Sequence, residues 1–157
     1  MANKNNKKTT TNTIENRKAF HNYHIEDRII CGIVLTGTEV KSIRSGRAQL
    51  KDSFAKIEKG EAWLHNCHIS PYQFGNRFNR NPLRKRKLLL HKKEILKVYT
   101  KLREKNFTLI PLKIFFSNNF AKVELALAKG KKMYDKRESI KKKELQRTIK
   151  DVKSKYN

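Results

Sequence analysis

Acids are scarce in this chain, and so are cysteines, tryptophan and long apolar runs. Fourteen Asp and Glu stand against 38 Lys and Arg, a formal charge of +24 on 157 residues. The few acids, Glu26-Asp27, Asp52, Glu58 and Glu61 among them, are dispersed, with no Asp-x-Asp or Glu-x-Asp arrangement to hold catalytic metal ions. His21 and His24 lie three apart but lack a third member for acid–base work. A metal-dependent ribonuclease is therefore a poor reading. The two cysteines, Cys31 and Cys67, are too few for a secreted disulfide scaffold and sit among apolar neighbours, as buried reduced thiols do. His65-Asn66-Cys67-His68 is a single cluster, whereas zinc takes ligands from two separated pairs; strand alternation would also send His65 and Cys67 one way and His68 the other. No Gly-x-x-x-x-Gly-Lys-Ser/Thr loop is present to cradle a nucleotide. No stretch approaches the ~20 apolar residues of a membrane helix. The opening MANKNNKKTTTNT has no apolar signal core and little amphipathicity. These absences leave a cytoplasmic, non-enzymatic protein without cofactor, metal, small-molecule substrate or membrane partner.

What remains is clustered positive charge. Basic groups that meet phosphates release condensed counterions, so such a surface holds nucleic acid without reading a base. From Asn76 to Lys105 twelve bases face two acids, and Tyr72, Phe74 and Phe78 lie just ahead of or within this stretch. Cations beside stackable rings suit structured or single-stranded RNA. Residues 131–157 carry eleven bases against four acids. Hydrophobic residues make up 37% of the chain, enough for one modest core flanked by tails.

The order of elements follows from punctuation and period. Residues 1–15 are polar and read as a disordered arm. Arg28–Leu35 reads as a strand buried on both faces or nearly so, with Gly32 marking a bulge or a close backbone approach. Thr38–Arg44 reads as a short helix capped by Thr38 and stopped by Gly46, with Glu39 as favourable charge at its N-terminus. Lys59-Gly60 joins a hairpin of Ser53–Ile57 and Glu61–Ile69, in which Trp63 is expected to pack. Residues 71–82 form a loop, and Leu88–Leu90 is either a strand or a first helical turn. His91–Lys105 is helical, with Ile95, Tyr99 and Leu102 on one face. Phe107–Phe116, the turn Ser117–Asn119 and Phe120–Ala128 form a second hairpin, with Pro111 at a bulge or an edge. The expected fold is mainly β: a small OB-like antiparallel barrel over residues 16–130, a few short helices, and a basic tail from 131. The tail has a narrow stripe of Leu145, Ile149, Val152 and Tyr156, too little to hold a helix alone, so it is expected to order on a partner.

Five blocks appear in order: Asn16-Arg17-Lys18-Ala19, Gly37-Thr38-Glu39-Val40-Lys41-Ser42, Asp52-Ser53-Phe54-Ala55, Arg86-Lys87-Leu88-Leu89-Leu90-His91, and Ala128-Lys129-Gly130-Lys131-Lys132-Met133-Tyr134-Asp135-Lys136-Arg137. Together they resemble the bacterial SsrA-binding (small protein B) family over about residues 14 to 150. The resemblance implies an OB-like barrel that binds the tRNA-like domain of transfer-messenger RNA and delivers it to stalled ribosomes, with elongation factor Tu on the charged RNA. It also implies a tail that is disordered when free and turns helical in the empty decoding site and messenger channel. Carried over by motif, His21, Tyr23, Leu89 and Lys122 face the RNA, and Lys129, Gly130, Lys131 and Lys132 mark the exit toward the tail. Arg17 and Lys18, and Arg84, Arg86 and Lys87 of the basic run, join the RNA-binding set. Tyr134, Asp135, Lys136 and Arg137, then Leu145 and Ile149, fall to the ribosome. The chain departs from the family pattern at Ile30-Cys31, where an acid and Ala are common, and at Arg80 and Tyr134, where His is common. The alternative is a ribosomal or ribosome-assembly protein with a basic extension.

Overall fold

Alternation of apolar and polar residues builds the body, and two tight turns set its registers. The computed structural model describes residues 12–104 and 106–155; Lys105 and Tyr156 of the readings above lie outside that set, as do residues 1–11 of the expected arm. In chain order the elements are β1 (Ile14–Glu15), α1 (Arg17–Asn22), β2 (Tyr23–Ile33), α2 (Gly37–Arg44), β3 (Ala48–Gln49), β4 (Phe54–Glu58), β5 (Glu61–His65), β6 (His68–Ile69), β7 (Arg86–Leu89), α3 (Lys92–Glu104), β8 (Thr108–Ser117), β9 (Phe120–Gly130) and α4 (Met133–Lys155). Lys59 and Gly60 take φ of 49° and 75°, and Asn118 and Asn119 take 51° and 65°. Two successive left-handed residues give a turn whose twist matches the strands, so both hairpins close as expected. The ladder of β8 on β9 slips between Pro111 and Lys113, the irregularity a proline without N–H imposes.

The main sheet is antiparallel, in the order β1-β8-β4-β5-β7-β2-β9, and β9 also pairs with β8. The pairings from β8 through β4, β5, β7, β2 and β9 thus return to β8. β3 and β6 make a small separate sheet. The main core cluster holds Leu64, Leu88, Leu109, Ile114, Val123 and Leu125, with Val98 of α3 and Ile43 of α2. A second cluster forms where Ala19 of α1 meets Ile110, Leu112, Ala126 and Ala128. The small side chains on β9 let α1 approach there, and β9 is buried on both faces from Leu125 to Ala128.

Several expectations need correction. The ordered body begins before residue 16: Ile14 pairs with Ile114 and is buried, because one apolar side chain in the polar arm is enough to extend the sheet by a strand. β2 is one-sided, with Cys31 and Ile33 buried but Ile30 and Val34 exposed. Its bulge falls between Ile25 and Asp27, and Gly32 serves instead as a close approach. A Cβ on Gly32 would come within 3.2 Å of Leu89 Cδ1. The helix α2 is capped by Thr36, two residues earlier than expected. Its capping box has the Thr36 side chain on the Glu39 N–H, and the Glu39 carboxylate accepts from the Thr36 N–H at 2.9 Å. On α3 the buried residue is Val98, flanked by half-buried Ile95 and Leu102, while Tyr99 is exposed. Trp63 is half-buried, outside the core, with the Lys85 ammonium 4.7 Å over its ring.

The tail is a 23-residue helix, α4, with none of its residues buried. Local bonds hold it. The Asp135 carboxylate accepts from the Lys132 N–H at 3.3 Å, the Tyr134 hydroxyl donates to Glu138 at 2.7 Å, and Lys153 and Lys155 sit at the negative end of the helix dipole. The hydrogen bond to Glu138 raises the Tyr134 phenol above its ordinary value.

Candidate nucleic-acid interface

β2 organises the outer face, because its even-numbered residues near the C-terminal end point outward while Cys31 and Ile33 fill the core. Gly32 is paired with Leu89 of β7 on one side and Lys122 of β9 on the other. The bare glycine thus brings a 55% exposed leucine and a lysine into one row across three strands. Ile30, one pleat away, is 56% exposed and lies opposite Glu124. That carboxylate is held by Lys113 at 3.5 Å and Arg28 at 3.8 Å, so its charge is already neutralised. The far strand end carries exposed Phe120, at the tip of the β8–β9 turn.

The other end of β2 gathers the remaining basic set. Tyr23 is in register with Gly130, and His24 with Lys129. The Lys131 N–H donates to Asn22 O at 2.8 Å, and its ammonium donates to Phe20 O and Ser139 Oγ at 3.2 and 3.0 Å. His24 Nε2 lies 3.5 Å from Asp135 Oδ2. These bonds tie α1, the start of β2 and the first turn of α4 together, with Arg17, Lys18, His21 and Lys132 exposed around them. Tyr134 and Arg137 are exposed on α4 and Lys136 half-buried, while Leu145 and Ile149 lie further along the same helix, 63% and 46% exposed. α3 is pinned against β2 by Lys101, which donates to Asp27 at 3.0 Å; that bond holds the Asp27 carboxyl below its ordinary value.

The basic run 84–87 behaves differently, and for Arg86 the RNA-facing expectation fails. Arg86 has no exposed side-chain surface. It donates to Glu39 at 2.9 Å and to the carbonyls of Cys67, Arg84 and Pro82 at 2.7, 3.0 and 3.1 Å. Arg84 grips the same carboxylate at 2.8 and 2.6 Å. Burial pushes the Glu39 carboxyl up, but the bonds from Arg84, Thr36 N–H and Arg86 together hold it below its ordinary value. Arg86 is drawn inward because Leu88, two residues on, faces the core and strand alternation takes Arg86 with it. Lys87, on the outer side, is half-buried and paired with Glu61 at 2.6 Å. Glu39, expected only as favourable charge at the N-terminus of α2, is thus a buried hub for both arginines. The Thr36–Glu39 capping-box spacing was its one legible signal.

A family model described as SmpB protein matches residues 13–155. The chain belongs to the SmpB family. An SsrA-binding protein of Carboxydothermus hydrogenoformans is 62% identical over 86% of this chain and 91% of its own length. One from Geobacillus thermodenitrificans is 62% identical over 86% and 87%. A solved structure described as "tmRNA-SmpB: a journey to the center of the bacterial ribosome" aligns with a TM-score of 0.66 at 49% identity, covering 77% of this chain and 85% of the other. Within this SmpB-family chain, the antiparallel sheet displays the Leu89–Gly32–Lys122 row and the Tyr23–Gly130 junction at opposite ends of one 11-residue strand. An extended strand of that length spans roughly 35 Å, the scale of a folded RNA element rather than of a small ligand.

Proposed function

We propose that this protein binds the tRNA-like domain of transfer-messenger RNA and delivers it to ribosomes stalled without a stop codon. The observation that carries the reading is family membership joined to one long face, where exposed apolar and basic side chains stand along β2 and Glu124, the acid opposite Ile30, is neutralised by Arg28 and Lys113. The ring of antiparallel pairings is an OB-like barrel in this reading, and it holds the face rigid. Leu89 and Lys122 with Tyr23, His21 and the Lys129–Lys132 exit grip the RNA elbow, and elongation factor Tu joins through the charged RNA. The role is positioning, with no bond made or broken by the protein.

The tail is the second working part. From Ile140 to Lys155 the helix is exposed throughout, so that part gains little stability from packing and its population depends on what surrounds it. Phosphate walls neutralise its lysines, and the decoding site and messenger channel of an empty ribosome supply them. Tyr134, Asp135, Lys136 and Arg137 then sit at the decoding centre, and Leu145 and Ile149 lie along the channel. The setting is cytoplasmic; among the described residues no helix is long and apolar enough to cross a membrane.

The test is truncation. Protein ending at Gly130 is expected to bind the tRNA-like domain nearly as tightly as the full chain while supporting no tagging of stalled peptides in a reconstituted reaction. Full tagging by the shortened protein would sink the two-part mechanism.

A further inference from the structure

Beyond that face, the loop after β6 builds a second cleft. It runs between the N-terminal end of α2 and residues 72–80 and encloses about 450 Å³, the size of small-ligand sites. Phe74 and Phe78 stand on it 75% and 65% exposed. Three hydrogen bonds tie this loop down. The Asn79 amide donates to Tyr72 O at 3.0 Å and accepts from Tyr72 N–H at 2.9 Å, clamping the loop ends together. Thr38 Oγ1 donates to Phe78 O at 3.3 Å and fixes the loop to α2. The rings are therefore held out by hydrogen bonds made beneath them.

The chemistry around them is one-sided. Lys41 lies 5.3 Å over the Tyr72 ring, Arg77 lies 4.9 Å over Phe78, and Arg80 also lines the cleft. The nearby acid, Glu39, is turned inward and neutralised by Arg84 and Arg86. Gly37 contributes bare backbone to the floor: a Cβ there would meet nothing within 4 Å, so packing inside the protein does not require glycine. Tyr72 meets Phe74 edge-on at 5.7 Å and Arg77 covers one side of Phe78, yet both rings stay largely exposed. Exposed rings, three cations and an uncluttered floor match the way proteins take unstacked bases of single-stranded RNA.

We infer that this cleft is a second RNA contact, which stacks an unpaired base on Phe74 and Phe78 and places its phosphates among Lys41, Arg77 and Arg80. The inference rests on the RNA-binding function proposed above and adds a site that none of the carried-over residues occupies. The base comes from the tRNA-like domain or from ribosomal RNA, and two arms of one experiment separate these sources.

Full-length protein is bound to the tRNA-like domain, or to ribosomes with transfer-messenger RNA, each RNA carrying 4-thiouridine. After irradiation, adducts are mapped by mass spectrometry. A nucleotide adduct on the 72–80 peptide is expected in one arm, and that arm names the source. No adduct in either arm, or one only to a ribosomal protein, overturns the inference. In the arm that crosslinks, Phe74→Leu/Phe78→Leu is expected to weaken binding roughly 5- to 100-fold, the range for lost base–aromatic stacking. Phe74→Tyr/Phe78→Tyr keeps the rings and is expected to bind as the unaltered protein does. Both pairs should melt unchanged, since the replaced rings are exposed. Leucine variants that bind like the parent overturn stacking. Failure of the unaltered protein to bind the tRNA-like domain would instead break the proposed function.

Discussion

Arg84-Lys85-Arg86-Lys87 and Lys129-Gly130-Lys131-Lys132 look interchangeable as strings of charge, yet the fold uses them in opposite ways. In the first, both arginines converge on Glu39 and one has lost all contact with solvent. In the second, Lys129 and Lys132 are exposed at the end of a strand, with Lys131 stitching that end to α1. The lesson is that a cation's role follows from which side of the sheet its strand position faces. A count of positive charge measures attraction to polyanions at long range but does not say which groups touch one.

The sharpest way to break this contrast is Arg86→Ala. It leaves Glu39 buried with one guanidinium removed, and breaking such a pair costs about 3–5 kcal/mol. Urea unfolding should show this loss, against less than about 0.5 kcal/mol for Lys129→Ala. A stable Arg86→Ala protein that has merely lost RNA affinity would restore Arg86 to the interface. Next, Leu89→Asp sets a carboxylate beside Lys122 on the outer row. Affinity for the tRNA-like domain should fall at least about tenfold, equivalent to about 1.4 kcal/mol, with no change in melting temperature. Equal binding would remove the β2 face from the interface.

Salt dependence refines the comparison. Losing one phosphate contact lowers the slope of log K against log salt by roughly 0.7–0.9. Lys132→Ala should show that drop, whereas Arg84→Ala should leave the slope unchanged in whatever protein remains folded. The smallest effect concerns acid. The Glu39 carboxyl is held below its ordinary value in the folded chain, so the unfolded chain takes up its proton first as pH falls. The stability it contributes is full above the ordinary carboxylate range and drains away as pH drops through the lowered folded value. Glu39→Gln should flatten that part of a pH–stability curve, and a curve of unchanged steepness would assign the acid sensitivity to other carboxylates.

Much of the scaffold could be read from local signals. Lys59-Gly60 and Asn118-Asn119 announce left-handed turn pairs, and Pro111 announces a disturbed ladder. The family blocks carry the functional face. What escaped was side-chain direction. Leu88–Leu90 alone is ambiguous between strand and helix, and until it is a strand nothing says that Arg86 shares the inward side with Leu88. Val98 escaped for a related reason: Tyr99 looks more apolar by size, but the face through Ile95, Val98 and Leu102 is the one that meets the core. The exposed Phe74 and Phe78 were legible as rings beside cations, while their clamping by Asn79 is a three-dimensional fact.

The double engagement of β9 bears on how the chain is made. Its partners are the adjacent β8 and the distant β2, about 100 residues earlier in the chain. While a nascent polypeptide lacks this last strand, β2 keeps an unpaired rim along most of its length, an invitation to intermolecular pairing. Closure waits for Gly130 to leave the exit tunnel, and the whole basic helix is still inside or unmade at that moment. A product cut short before that residue should be a sticky, protease-sensitive fragment, whereas one cut just after it should be a finished domain.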